Sequence, residues 1–145
     1  MSSKQIFTSE AQLTAFAAKI ALFLEPGDVV YLRGELGTGK TAFARAIIQQ
    51  RGAADSVTSP TFTLIETYHL NDVSVVHLDL YRIESDAQME GIGLRDYLDG
   101  HWICLIEWPD RAPSMLPDPD LTVNLAYEGN GRSACLLYTS PSPRD

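Results

Sequence analysis

The sequence predicts an α/β domain, a P-loop NTPase-like three-layer sandwich with a mixed parallel and antiparallel central sheet and helices on both faces. Residues 34–41 spell G-x-x-x-x-G-K-[ST] and lie between a short apolar run at 28–32 and a helical pattern at 40–50. Two β-forming runs, 63–68 and 74–79, are joined by so short a turn that an antiparallel hairpin is expected, because a parallel crossover takes about a dozen residues or more. A strand, a glycine-rich loop and a helix, followed by a hairpin, therefore indicate a mixed sheet.

The first predicted element is a helix that begins at Ser9, with Gln12 in the capping-box position. Apolar residues at spacings of three and four form its expected buried stripe: Leu13, Phe16, Ala17, Ile20, Phe23 and Leu24. The turn pair Pro26-Gly27 then opens the apolar run, which is predicted to be a buried strand. Gly52 is expected to end the helix that follows the glycine-rich loop.

The remaining predicted elements follow in chain order. An irregular helix, interrupted by Gly91 and Gly93, is predicted over 84–98, and a central strand that ends in an acid over 102–107. A loop with four prolines follows over 109–119, and a final hairpin pairs 121–128 with 132–137. A single P-loop ATPase domain is expected over 1–137. The proline-spaced residues 138–145 are expected to be a disordered, non-native tail.

Composition disfavours several classes of function. The 145 residues carry a formal net charge of −8 without an evident basic cluster, so strong direct binding of RNA or DNA is disfavoured and docking on a protein partner is favoured. No apolar stretch approaches the roughly 20 residues of a membrane span, and no signal peptide is recognisable, so a cytoplasmic protein without a membrane role is expected. Cys104 and Cys135 indicate neither a disulfide framework nor a zinc site.

The motif at 34–41 is the pattern of a phosphate cradle. Its glycines permit a tight turn in which successive backbone N–H groups point at an anion, and the following helix adds the positive end of its dipole. Lys40 brings a charge to the outer phosphates, and the Thr41 hydroxyl can complete a Mg²⁺ shell. The chain is therefore predicted to bind a nucleoside triphosphate through the loop residues Glu35, Leu36, Gly37, Thr38, Gly39, Lys40 and Thr41.

Two acids, Asp79 and Glu107, stand at the ends of apolar strands. Ligands of open α/β sheets collect at the carboxyl ends of the strands, so both acids are candidates for holding the magnesium shell or orienting an attacking water. Taken singly, each acid is explained as well by a solvated cap on its strand. The phosphate loop makes them the favoured pair.

Other polar residues have two interpretations. A proline-marked loop carries three hydroxyls in an order suited to a phosphate-sensing switch: Thr58, Ser59 and Thr61. A turn stabilised by hydrogen bonds from side chain to backbone explains these hydroxyls about as well. Three histidines show no metal-ligand spacing and are interpreted as structural: His69, His77 and His101.

Taken together, the motifs resemble those of the TsaE family. Four segments carry the resemblance in the same order: GELGTGKT at 34–41, SPTF at 59–62, HLDLYR at 77–82 and IEWP at 106–109. The resemblance spans about residues 5–134, so it is more specific than the phosphate loop alone.

The resemblance implies the ATPase component of bacterial tRNA threonylcarbamoyladenosine biosynthesis. Such a protein binds and hydrolyses ATP with Mg²⁺ and assists TsaD and TsaB. These partners transfer a threonylcarbamoyl group to the adenosine beside the anticodon of ANN-decoding tRNAs. The tRNA would then be reached only indirectly, through the complex.

The resemblance also implies a role for each matched residue. Lys40, Asp79 and Glu107 would form the catalytic set, with Lys40 neutralising the β- and γ-phosphates and Asp79 against the metal shell or the attacking water. Thr41 and Glu107 would hold Mg²⁺. The remaining nucleotide contacts would come from Thr61 in the switch segment, from Trp108 beside the metal and from Arg132 near the end of the match.

Two other functions stay open. A small-molecule P-loop kinase also uses a phosphate loop in a compact domain, but it needs an acceptor pocket and an arginine-bearing lid. A nucleotide-gated binding module with negligible turnover is the second. A GTPase is disfavoured because the sequence contains no Asn-Lys-x-Asp segment for reading guanine.

Overall fold

The computed structural model describes residues 2–52 and 64–138. Two predictions fall outside these ranges: the hydroxyl loop with Thr58, Ser59 and Thr61, and the tail beyond residue 138. The helices are α1 Glu10–Ala21, α2 Lys40–Gln50 and α3 Asp86–Ile92, and three 3₁₀ helices span Leu94–Tyr97, Pro109–Arg111 and Pro113–Met115. None of the helices in these ranges has the length and apolar character needed to cross a membrane.

Within the described residues, seven strands form one sheet. They are β1 Ser2–Phe7, β2 Val29–Arg33, β3 Ile65–His69, β4 Ser74–Asp79, β5 Trp102–Glu107, β6 Leu121–Glu128 and β7 Gly131–Tyr138, in the spatial order β1-β7-β6-β2-β5-β4-β3. The four central strands β6, β2, β5 and β4 run parallel, whereas β7, β1 and β3 pair antiparallel at the two flanks. The predicted mixed sheet and the β3–β4 hairpin are confirmed.

Helices cover both faces of the sheet and enclose two hydrophobic cores. On one face α1 and α2 bury Leu13 and Phe43 against strand residues such as Leu105. On the other face Met89 of α3 packs with Leu78 and other strand residues. Because side chains alternate along a strand, Val75 of β4 and Leu105 of β5 face α1 and α2. The predicted three-layer sandwich is therefore confirmed.

Helix α1 begins as the sequence predicts but ends earlier. The Ser9 hydroxyl accepts a hydrogen bond from the backbone N–H of Gln12 at 3.2 Å, while the Gln12 side chain accepts one from the N–H of Thr8 at 2.8 Å. The helix stops at Ala21, and the Phe23 side chain is 77% exposed. The inclusion of Phe23 in the buried stripe was wrong because the chain leaves helical geometry one turn before the spacing pattern does.

The irregular helix predicted over 84–98 is two short elements. Ser85 caps α3, and its hydroxyl accepts from the N–H of Gln88. Gly91 lies inside α3 and does not interrupt it, so the prediction of a break there was wrong. Gly93 does end the helix, with a φ of 74°, a left-handed conformation that favours glycine.

The N-terminal strand β1 is absent from the sequence-based prediction. It pairs with β7 from Ser2 opposite Leu137 to Phe7 opposite Arg132. Strand β7 continues through Tyr138, the first residue of the predicted tail. Strand β1 depends on pairing with β7, and Tyr138 pairs with Leu121 of β6, so neither result is encoded by a local pattern.

Candidate active site

The phosphate loop connects the end of β2 to the start of α2. Gly34 has a φ of +145°, and a Cβ on it would lie 2.4 Å from the backbone oxygen of Leu125. Gly39 caps α2 in a left-handed conformation with a φ of 108°. Glycine alone tolerates both the positive φ and the close backbone contact at Gly34, so the loop can approach β6 closely at this position.

Lys40 is held by its own loop. Its Nζ donates to the carbonyl oxygen of Gly34 at 2.7 Å and to that of Glu35 at 2.9 Å. The same atom lies 4.4 Å from the centroid of the Trp108 ring, within the range of a cation–π contact. Burial lowers the pKa of Lys40, and the negative charge of Glu107 acts in the opposite direction. The ammonium group is thus close to the place where phosphates would bind.

Thr41 and Glu107 join α2 to β5. The Thr41 hydroxyl lies 3.0 Å from Oε1 and 3.1 Å from Oε2 of Glu107, and can donate to this carboxylate. The side chain of Glu107 is almost completely buried, and its Oε2 is also 2.7 Å from Nε2 of His77. The buried carboxylate therefore has hydrogen-bond partners on two sides.

Asp79 lies next to Glu107 because β4 and β5 are parallel neighbours and the two residues are paired in register. Its Oδ1 accepts a hydrogen bond from the N–H of Tyr81 at 3.1 Å. Burial raises the pKa of Asp79, although that hydrogen bond opposes the shift, and the nearby Glu107 raises the pKa further. The two acids that the sequence pairs are therefore brought together at the carboxyl ends of two neighbouring strands.

Trp108 directly follows Glu107 and is the one residue other than glycine with a positive φ, 58°, among those the structure describes. Its ring lies 4.9 Å from that of Tyr81, and the Arg111 guanidinium lies 5.2 Å from the Tyr81 ring. A left-handed conformation costs about 1–2 kcal/mol in a residue with a side chain. This backbone conformation places the indole beside the Lys40 ammonium.

These groups border a cavity of about 490 Å³. Most of the predicted site residues line it: Leu36, Gly37, Gly39, Lys40, Thr41, Asp79, Glu107 and Trp108. Five further lining residues were not among the predicted site residues: Glu10, Ala42, Leu64, Tyr81 and Arg82. Tyr81 and Arg82 follow Asp79 within the HLDLYR segment, so their sequence neighbourhood was a usable signal.

Arg132, Glu35 and Thr38 take other positions. Arg132 does not line this cavity, but its Nη2 donates to the Gly37 carbonyl at 3.3 Å. It borders a second cavity of about 210 Å³, which shares Gly37 and Gly39 with the first. Thr38 is buried and donates to the carbonyl of Glu35 at 2.7 Å, which stabilises the loop from within. Thr61 lies outside the described residues.

The oxygen donors at the cavity suit Mg²⁺. Over 2–52 and 64–138 there is no group of three or more His, Cys, Asp or Glu side chains that could hold a metal ion alone. Mg²⁺ does not require such a group, because it keeps several waters and takes one or two protein oxygens together with substrate phosphates. The Thr41 hydroxyl and the Glu107 and Asp79 carboxylates provide hard oxygen donors of this kind.

Comparison with known proteins identifies the family. The family model described as "Threonylcarbamoyl adenosine biosynthesis protein TsaE" matches residues 7–134. A relative in Haemophilus influenzae, named tRNA threonylcarbamoyladenosine biosynthesis protein TsaE, is 37% identical over 138 residues, which cover 92% of this chain and 87% of the relative. A relative of the same name in Rickettsia bellii is 38% identical over 136 residues, covering 93% and 94% of the two chains.

A solved structure agrees with these matches. The crystal structure of YdiB from Bacillus subtilis superposes with a TM-score of 0.80 at 28% identity, over 97% of this chain and 87% of that one. The match at 7–134 contains the phosphate loop and both strand-end acids. The chain therefore belongs to the TsaE family.

Proposed function

We propose that this chain is a Mg²⁺-dependent ATPase that assists TsaB and TsaD in forming threonylcarbamoyladenosine beside the anticodon of ANN-decoding tRNAs. The single observation that carries the ATPase proposal is the meeting of Lys40, Thr41, Asp79 and Glu107 at one cavity next to the phosphate loop. Its volume of about 490 Å³ is within the usual range for a small-molecule ligand.

Each of the four residues would have a separate task. Lys40 would leave the loop carbonyls and donate to the outer phosphates of ATP, which carry more negative charge than a carbonyl. Thr41 and Glu107 would hold Mg²⁺, which when bound supplies positive charge to the phosphate oxygens. The carboxylate of Asp79, whose pKa is raised, would orient the attacking water and accept its proton.

The part played by partners follows from the family and the charge. The relatives carry the name tRNA threonylcarbamoyladenosine biosynthesis protein, whereas the present chain has a net charge of −8, which disfavours direct contact with the tRNA backbone. A protein of this charge acts on tRNA more readily through a complex than by itself. We therefore infer that TsaB and TsaD make the nucleic-acid contacts.

Phosphate release from ATP tests this proposal. The purified chain is assayed alone and with TsaB and TsaD added, and a Lys40→Ala variant measures the background. We expect turnover that appears or rises only when both partners are present. Turnover that does not respond to the partners would contradict the accessory role, and ATP binding without any turnover would instead support a nucleotide-gated binding module.

A small-molecule kinase is the second candidate, because Arg82 borders the cavity and provides a cation near the proposed phosphate position. Kinases and related enzymes place such cations against the phosphoryl group that is transferred. If a panel of small hydroxyl or carboxylate acceptors stimulates ADP formation without phosphate release, the kinase replaces the accessory ATPase as the favoured function.

A further inference from the structure

His77 is the most completely buried polar side chain near the site, and the function proposed above assigns it no role. It lies on β4 with 0% exposure, two residues before Asp79 and on the same face of the strand. Its Nε2 is 2.7 Å from Oε2 of Glu107, whereas its Nδ1 is buried without a hydrogen-bond partner among the described residues.

This geometry assigns the tautomer of the imidazole. A carboxylate accepts hydrogen bonds only, so the proton between the two groups resides on Nε2 of His77. His77 therefore carries a proton on Nε2, and this N–H donates one hydrogen bond to Glu107.

The contact constrains how Glu107 can present its oxygens. Oε2 of the carboxylate accepts a hydrogen bond from Nε2 of His77, while the Thr41 hydroxyl lies near both carboxylate oxygens. Without His77, the buried carboxylate would lose the partner on the side away from the cavity and could rotate about its terminal torsion, which is broad for a glutamate. Groups that orient metal ligands from behind typically change metal affinity by about 10–100-fold.

We propose that His77 is a positioning residue that fixes the Glu107 carboxylate so that it can hold Mg²⁺ on the nucleotide. The inference rests on the proposed function, because it assumes that Glu107 serves the metal. His77 itself touches neither the nucleotide nor the metal. His77 therefore increases the affinity for Mg²⁺ and leaves the affinity for the nucleotide alone unchanged.

Nucleotide binding with and without Mg²⁺ tests the proposal. A fluorescent ATP analogue is titrated into wild type, His77→Leu and His77→Gln, once with Mg²⁺ and once with EDTA. We expect His77→Leu to weaken binding about tenfold with Mg²⁺ and less than about twofold with EDTA. His77→Gln keeps an N–H donor near the position of Nε2, so it should restore most of the Mg²⁺ effect.

A control for loss of packing comes from the same strand. Val75 is fully buried on β4 and faces the same core, but it is separate from the carboxylate, so Val75→Ala disturbs packing alone. Thermal unfolding of all variants identifies those that are destabilised. Val75→Ala should change binding equally in the two conditions; the same Mg²⁺-specific loss in Val75→Ala would overturn the positioning role.

The outcomes separate this inference from the proposed function. Wild type that binds equally with Mg²⁺ and with EDTA would overturn the metal site and this inference with it. Normal Mg²⁺ dependence in His77→Leu, beside normal dependence in wild type, would overturn only the role of His77. Nitrogen chemical shifts of the imidazole in the nucleotide-free protein give a second reading: a proton on Nδ1 and not on Nε2 would also overturn it.

Discussion

The hydroxyl of Thr41 lies 3.0 Å from the nearer carboxylate oxygen of Glu107, although the two residues are 66 positions apart in the chain. Thr41 belongs to the first turn of α2, and Glu107 is the last residue of β5. The parallel pairing of β2 with β5 sets Leu32 opposite Glu107, and so carries the acid to the strand that leads into the phosphate loop. The tertiary fold therefore brings the Thr41 hydroxyl and the Glu107 carboxylate together.

Replacing Glu107 by Gln should weaken nucleotide binding in the presence of Mg²⁺ more than in its absence. Gln keeps the volume and an oxygen for His77, but it lacks the negative charge that a magnesium ligand provides. We expect a loss of about tenfold or more with Mg²⁺, which is ~1.4 kcal/mol, and little loss in EDTA. Calorimetric titration in both buffers measures it. An equal loss in the two buffers would mean that Glu107 is structural.

Replacing Lys40 by Ala should nearly abolish ATP turnover. The Lys40 ammonium group donates to the Gly34 and Glu35 carbonyls and would move from them to a phosphate. Removing one such group from a site that stabilises developing charge costs on the order of 100-fold or more in rate. Phosphate release with TsaB and TsaD present measures the effect. Lys19→Ala, an exposed lysine on α1, is the matched control, and unchanged hydrolysis by Lys40→Ala would refute the site assignment.

Nucleotide binding should change the fluorescence of Trp108. The Lys40 ammonium lies 4.4 Å from the indole centroid, so its movement to a phosphate alters the charge over the ring. The chain has two tryptophans, and Trp102 packs instead on His69 and Tyr97. Emission on addition of ATP should therefore change in wild type and in Trp102→Phe. A response that persists in Trp108→Phe would contradict this explanation.

Asp79 should make the free protein less stable as the pH rises. Its pKa in the folded state is raised above the ordinary 3.8, mainly by burial. Between these two values the folded protein holds a proton that the unfolded chain has released. The contribution of Asp79 to the free energy of unfolding is therefore fully present below pH 3.8, and it is lost as the pH rises through the pKa of the folded state.

Replacing Asp79 by Asn removes this unfavourable ionisation. At neutral pH without Mg²⁺ we expect a higher unfolding temperature, by about 2–4 °C for each kcal/mol gained in the free energy of unfolding. The gain should shrink as the pH approaches 3.8. Asp118→Asn, at an exposed position, controls for the loss of one negative charge. A gain that does not depend on pH would indicate that the effect is not the titration of Asp79.

Local patterns determined most of the framework. The loop glycines, the bounds of α2 and the strand β5 follow from turn chemistry and apolar periodicity within single segments, which is why they were predictable. The β1 strand, with the sequence SSKQIF, has no regular alternation, and it becomes a strand only because β7 supplies hydrogen-bonding partners. Phe23 fits the helical spacing of α1, yet the helix ends before it.

The sequence by itself determined which chemistry is present: the phosphate loop, a lysine, a hydroxyl and two strand-end acids that resemble those of the TsaE family. Tertiary structure alone decided which of these groups meet. His77 lacks metal-ligand spacing and was therefore interpreted as structural. Its contact with Glu107 spans 30 residues and depends on β4 lying parallel to β5, so the sequence could not show it. Arg132 likewise reaches Gly37 only because the last hairpin lies beside β2. Residue types and turns are local properties, whereas strand order and register are set by burial and hydrogen bonding over the whole chain.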